Sequence, residues 1–163
     1  MLKKLSFGVL LLACLVGCSN KKTAFNYNED FVKKEKSLEP AISSTESSVS
    51  GYMAAEQWDS IAVAGEKMEG MIGAIVKEIK DTPAPDVKEG QNFKDAGIRY
   101  FEFMESMYTV YKDYGHQTTQ EGRDAQLQRL RDLSDKKTAE ISNIQSAQQK
   151  FADANGFKVE KTY

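Results

Sequence analysis

The chain has 163 residues, with 22 Lys+Arg against 24 Asp+Glu, one His and two Cys. At 40% hydrophobic and 28% charged it has the make-up of a folded globular domain, which excludes a disordered chain and a uniformly membrane-embedded one. The mildly acidic balance offers nucleic acid no electrostatic footing, and one His with two Cys leaves little scope for a metal, redox or cofactor site.

Taken in chain order, Lys3-Lys4 supplies a charged start, Leu5 to Val16 is almost wholly apolar, and Gly17-Cys18 closes the segment. This is the layout of a secretory signal, and the apolar run falls short of the roughly 20 residues needed to span a bilayer. Leu15-Val16-Gly17-Cys18 resembles the lipobox of bacterial lipoproteins. The resemblance implies that residues 1–17 are a cleaved signal peptide. It also implies that the Cys18 thiol is diacylglycerol-modified and its new amine acylated, with palmitate-like chains holding the protein to a membrane. Two or three acyl chains anchor stably without a basic patch. Cys14 is then discarded and Cys18 is consumed by lipid, so the mature chain has no intramolecular disulfide and its core must supply the stability. Losing Lys3 and Lys4 leaves 20 Lys+Arg against 24 Asp+Glu. Ser19 after the cysteine resembles the sorting pattern that sends lipoproteins to the outer membrane. The absence of an acidic run in Ser19-Asn20-Lys21-Lys22 favours the periplasmic leaflet over the cell surface.

Residues 18–27 read as a lipidated, polar tether of up to about 30 Å, and residues 28–163 as the folded domain. The pattern from there on is helical, with no strand-like alternation and no hairpin turn signal. The first segment, about Asn28 to Ala54, places Phe31, Leu38, Ile42, Val49 and Met53 on one stripe beside a Ser/Thr-rich stretch at 43–50. Pro40 predicts a kink or break near Leu38, because a proline in a helix interior costs about 3 kcal/mol. The second segment, about Gln57 to Lys80, carries Ile61, Met68, Ile72, Ile75 and Ile79 at helical steps, with Trp58 placed to plug one end of the core. Thr82-Pro83-Ala84-Pro85 terminates it.

The third segment begins at Asn92, a candidate N-cap with Asp95 three residues on. Phe93, Gly97, Tyr100, Met104, Met107, Tyr111 and Tyr114 follow in a 4-3-4-3 rhythm, widened by Phe101, Phe103, Tyr108 and Val110. Gly115 reads as a left-handed C-cap. The fourth segment opens on the capping-box spacing Thr118-Thr119-Gln120-Glu121 and continues through Leu127, Leu130, Ile141, Ile144 and Phe151 to a stop at Asn155-Gly156. Ser134, Lys137 and Gln148 interrupt its register, which implies that its middle projects past its neighbours or admits water. Four amphipathic segments with short links predict an all-α, antiparallel up-down four-helix bundle.

No catalytic constellation emerges. His116 falls in the third link with no companion His or Cys, and reads as a solvent-exposed histidine. Glu66/Glu69 and Glu102/Glu105 have the i, i+3 spacing of bundle metal sites but lack the histidine those sites use, so they read as solvated faces. Gly65, Gly70 and Gly73 read as helix-packing positions. Asp59-Ser60-Ile61 matches a short pattern that some bacteria O-glycosylate, though Asp59 serves equally as an N-cap. The aromatic and methionine load of the third helix is chiefly core, yet it exceeds what one seam requires. Tyr100, Met104, Met107, Tyr108 and Tyr111 therefore form a candidate groove for an apolar or aromatic ligand or a protein partner.

Beyond the lipobox, Phe93-Lys94-Asp95-Ala96, Gln148-Gln149-Lys150-Phe151 and Asn155-Gly156 resemble helical surface lipoproteins of double-membraned bacteria. That resemblance implies an envelope location and a helical fold, and brings no functional residues with it. The expectation is a lipid-anchored envelope protein acting as a non-enzymatic interaction or structural module. Its partners are the membrane, through Cys18, and an envelope protein; no cofactor, metal or nucleic acid is expected.

Overall fold

The computed structural model describes residues 13–159, with side chains described from Ser19 onward. The signal reading for residues 1–12, and the Cys18 thiol, lie outside the described residues. Among the described residues there are four helices: α1 (Ala13–Ala54), α2 (Trp58–Asp81), α3 (Gly90–His116) and α4 (Gln120–Asn155). They pack as an up-down bundle in which α2 and α3 form the most intimate pair.

The main core is aromatic. Phe31 of α1 packs tilted against Phe93 at 5.2 Å and against Phe101 at 5.3 Å, centroid to centroid, and Phe93 stacks on Phe151 of α4 at 4.8 Å. Leu38, Met68 and Ile72 complete this layer. A smaller cluster of Val49, Ile61 and Tyr114 closes the other end of the bundle. Trp58 plugs it as the sequence suggests, edge-on to Tyr114 and capped by the Arg123 guanidinium 4.6 Å above its ring.

One expectation about α1 does not hold. Residues 19–27 are helical rather than an extended tether, and Ala24 is fully buried, because α1 enters the core two turns earlier than its obvious apolar stripe suggests. Of the two outcomes expected at Pro40, the break is absent: the helix continues through it. Pro40 and Lys36, whose carbonyl loses its helical donor, are both exposed, so water replaces the missing bond.

The caps differ in detail as well. Glu89, at φ 60°, precedes α3, so Asn92 lies inside the helix rather than at its cap. Thr119, not Thr118, caps α4 by accepting from the Gly122 amide at 3.1 Å. Gly156 ends α4 in the left-handed conformation at φ 71°, as expected, and the Phe157 amide donates back to the Ala152 carbonyl. The same pattern closes α1 at Glu56, φ 54°, where a non-glycine residue occupies the left-handed position.

Gly115 is no cap. It lies within α3, where a Cβ would meet the Ala62 amide nitrogen at 2.4 Å and the Trp58 carbonyl at 2.5 Å. Gly65 mirrors it from α2, with the Lys112 nitrogen 2.4 Å from its absent Cβ. These two glycines let the backbones of α2 and α3 touch. Gly70, by contrast, faces open space. In α4 only Ile144, Phe151 and Ala152 are buried, and the whole run Ser134–Ala139 is exposed, so its middle does stand off the bundle.

Candidate functional site

The aromatic stripe of α3 is interior. Phe93, Phe101, Tyr108 and Val110 form its buried line, while Tyr100, Met104, Met107 and Tyr111 are its half-buried flank. Tyr100, Met104 and Tyr111 pack against the main core, and the Tyr100 hydroxyl donates to Glu35 Oε1 of α1 at 2.7 Å. Burial, reinforced by that carboxylate, pushes the Tyr100 phenol well above its ordinary value; burial and the nearby negative charge of Glu46 do the same for Tyr108 and raise Tyr111. Met107 is half-buried, and neither cavity described below contains any of the five groove residues. The stripe is chiefly core, and Tyr100, Met104, Met107 and Tyr111 are the part of it left half-buried.

The glutamates expected on solvated faces form a charged seam between α2 and α3. Glu69 accepts from the Lys112 ammonium at 2.6 Å and from the Thr109 hydroxyl at 2.8 Å. Partial burial opposes the Glu69 charge, but those two donors outweigh it and hold the carboxyl below its usual range. Glu105 lies next to this pair, its Oε1 2.7 Å from where a Gly73 Cβ would be. Burial first, then the charges of Glu69 and Glu102, raise the Glu105 carboxyl above the usual range, while Lys80 and Lys112 offset part of that. Lys80 is itself paired with Glu102 at 2.7 Å. Glu66 is exposed and takes no part in the seam's hydrogen bonds. Among the described residues no group of three or more His, Cys, Asp or Glu could hold a metal ion.

An open cleft of about 410 Å³ lies elsewhere, between the second half of α1 and the first half of α2. Ser44, Ser48 and Tyr52 line the α1 wall, and Asp59, Ser60, Val63, Ala64 and Lys67 the α2 wall. Short side chains on both helices leave the space, and its lining mixes hydroxyls and one charge of each sign with the apolar Val63 and Ala64. The signal for it was present in the Ser/Thr stretch at 43–50: Ser44, Ser48 and Tyr52 recur at four-residue steps, a polar face that α2 leaves unfilled. Asp59 occupies the first turn of α2 and not its cap, which is Gln57 without a side-chain bond. A second cavity, beside Tyr27 and Lys94, holds about 20 Å³, room for one water.

His116 is the last residue of α3 and is exposed, as its isolation in the sequence implied. Among the described residues no helix is long and apolar enough to cross a membrane. No family model, curated protein or solved structure matches the chain.

Proposed function

We propose that the chain is a lipid-anchored envelope protein, exported by residues 1–17, acylated at Cys18 and held at the outer membrane as a non-enzymatic interaction or structural module. The observation that carries the reading is the run from Lys3-Lys4 through the apolar Leu5–Val16 to Leu15-Val16-Gly17-Cys18. The fold is in keeping with it: a long aromatic core stabilises the bundle without a disulfide, as an exported chain with one acylated cysteine requires. Ligand binding by the Tyr/Met stripe is the alternative reading; the packing of Tyr100, Met104 and Tyr111 on the main core adds no support to it.

Wild-type and Cys18→Ala chains expressed in a double-membraned bacterium test the anchor. The wild type should sediment with membranes and yield an N-terminal peptide carrying diacylglycerol mass. The variant should stay unprocessed by the lipoprotein route and leave the membrane fraction; normal membrane retention would overturn the reading. Protease treatment of intact and permeabilised cells then assigns the leaflet, with protection until permeabilisation expected. Turnover of an envelope substrate that survives Cys18→Ala but is lost on changing a cleft residue such as Asp59 would overturn the non-enzymatic part.

A further inference from the structure

Position 18 and the first buried residue of the bundle are six positions apart on one continuous helix. Ala24 is fully buried, and Asn28 and Phe31 follow it into the core. From position 18 to position 24 the helix rises only about 9 Å. The Thr23 hydroxyl donates back to the Ser19 carbonyl at 3.0 Å, one helical turn away. Helical register places positions 18, 21, 22 and 25 on one face, while 24, 28 and 31 share another. On the first face Lys21 and Lys22 are exposed, and Phe25 is one of three exposed large hydrophobics among the described residues, at 42%. Phe25 meets Phe157, from the segment after α4, edge-on at 5.8 Å, so this face is continuous with the end of the bundle where the chain leaves α4.

We propose that this end of the bundle seats directly on an anionic phospholipid surface through Lys21, Lys22 and Phe25. An aromatic ring beside two lysines suits a bilayer interface, the ring at the acyl boundary and the ammonium groups at the phosphates. The occupant is set by the chain itself, because acyl chains at position 18 bring the membrane within two helical turns of this face. The Cys18 anchor then fixes the height and orientation of the bundle instead of leashing it, and the cleft between α1 and α2 is carried at the far end, away from the bilayer. This inference rests on the acylation of Cys18 proposed above.

The mature chain has no other cysteine, so Lys158→Cys and Ser50→Cys each create one labelling site, at the anchored and the far end of the bundle. Both positions are exposed. Full-length, lipidated protein labelled with a fluorophore is reconstituted into phosphatidylglycerol/phosphatidylethanolamine vesicles containing a headgroup-quencher lipid. The label at 158 should lose most of its emission and the label at 50 should keep it. A flexible Gly/Ser insertion of about ten residues between Ser19 and Asn20 should restore emission at 158. The combined change Lys21→Gln, Lys22→Gln and Phe25→Ser should also restore it, with the N-terminal lipid mass intact in both. Equal quenching at 158 and 50 with that lipid mass present overturns the seating alone. Absence of the lipid mass overturns the anchor, and the seating with it.

Discussion

The Gln148 side-chain amide donates to Asn28 Oδ1 at 2.8 Å, joining α4 to α1 through the one buried polar side chain among the described residues. Gln148 interrupts the apolar register of α4, and Asn28 is the reason the interruption is tolerated. The pair also fixes the height of α4 against α1, since a slip of one turn would leave Asn28 buried without a partner.

Asn28→Leu alone should therefore cost about 1–2 kcal/mol, because Gln148 loses its partner. Asn28→Leu combined with Gln148→Leu should recover most of that loss. Urea unfolding of the two single variants and the double variant reads the coupling; simple additivity would show that the bond contributes nothing.

At the α2–α3 contact, Gly65→Ala should destabilise by about 2 kcal/mol or more, since its Cβ would lie within 2.9 Å of Lys112 and Tyr108 backbone atoms. Gly70→Ala, five residues along and facing open space, should instead gain about 0.5–1 kcal/mol from helix propensity. Thermal unfolding midpoints moving in opposite directions would establish the contrast.

Glu69 and Glu105 should respond to acid with opposite sign. The folded Glu69 carboxyl lies below the ordinary value of 4.5, so its contribution is full above that pH and is lost as pH falls through the folded value. The folded Glu105 carboxyl is raised, so its contribution is present below 4.5 and lost as pH rises through the folded value. At neutral pH Glu69→Gln should be less stable than wild type and Glu105→Gln more stable, each by about 1 kcal/mol or less for such partly exposed groups. Both differences should shrink in acid, which unfolding curves from about pH 7 down to about pH 3 would follow.

Alkali should unfold the bundle through its tyrosines. Tyr100, Tyr108 and Tyr111 are all held above the ordinary value of 10.0 when folded. Below pH 10 they contribute in full. Above it the unfolded phenols ionise first, and stability falls by at most about 1.4 kcal/mol per pH unit for each tyrosine. Urea midpoints measured from about pH 9 to about pH 11 should drop steeply, and less steeply for Tyr100→Phe.

The helices were legible because each carries its own period and punctuation: Ile61, Met68, Ile72 and Ile79 are buried as their spacing requires, and Pro83 and Gly156 stop helices where expected. What periodicity cannot show is which part of a broad apolar face meets another helix. Gly115 illustrates this, since its glycine signal is the same for a left-handed cap and for a backbone contact, and only the neighbouring Ala62 decides. The early part of α1 was missed for a related reason: Ala24 looks like a linker residue, and its burial depends on a core built from helices distant in sequence. The cleft was missed because small polar residues read as a solvated face whether or not the opposite wall exists.

The glycine crossing of α2 and α3 divides the molecule mechanically. Where main chain lies on main chain no side chain can change rotamer to absorb a displacement, so this hairpin should hold its amide protons longest in hydrogen exchange. The stretch Ser134–Ala139 of α4, exposed throughout, should release its protons first. Any strain imposed on the bundle from outside would then be taken up by α4 bowing against a stiff half that keeps its shape.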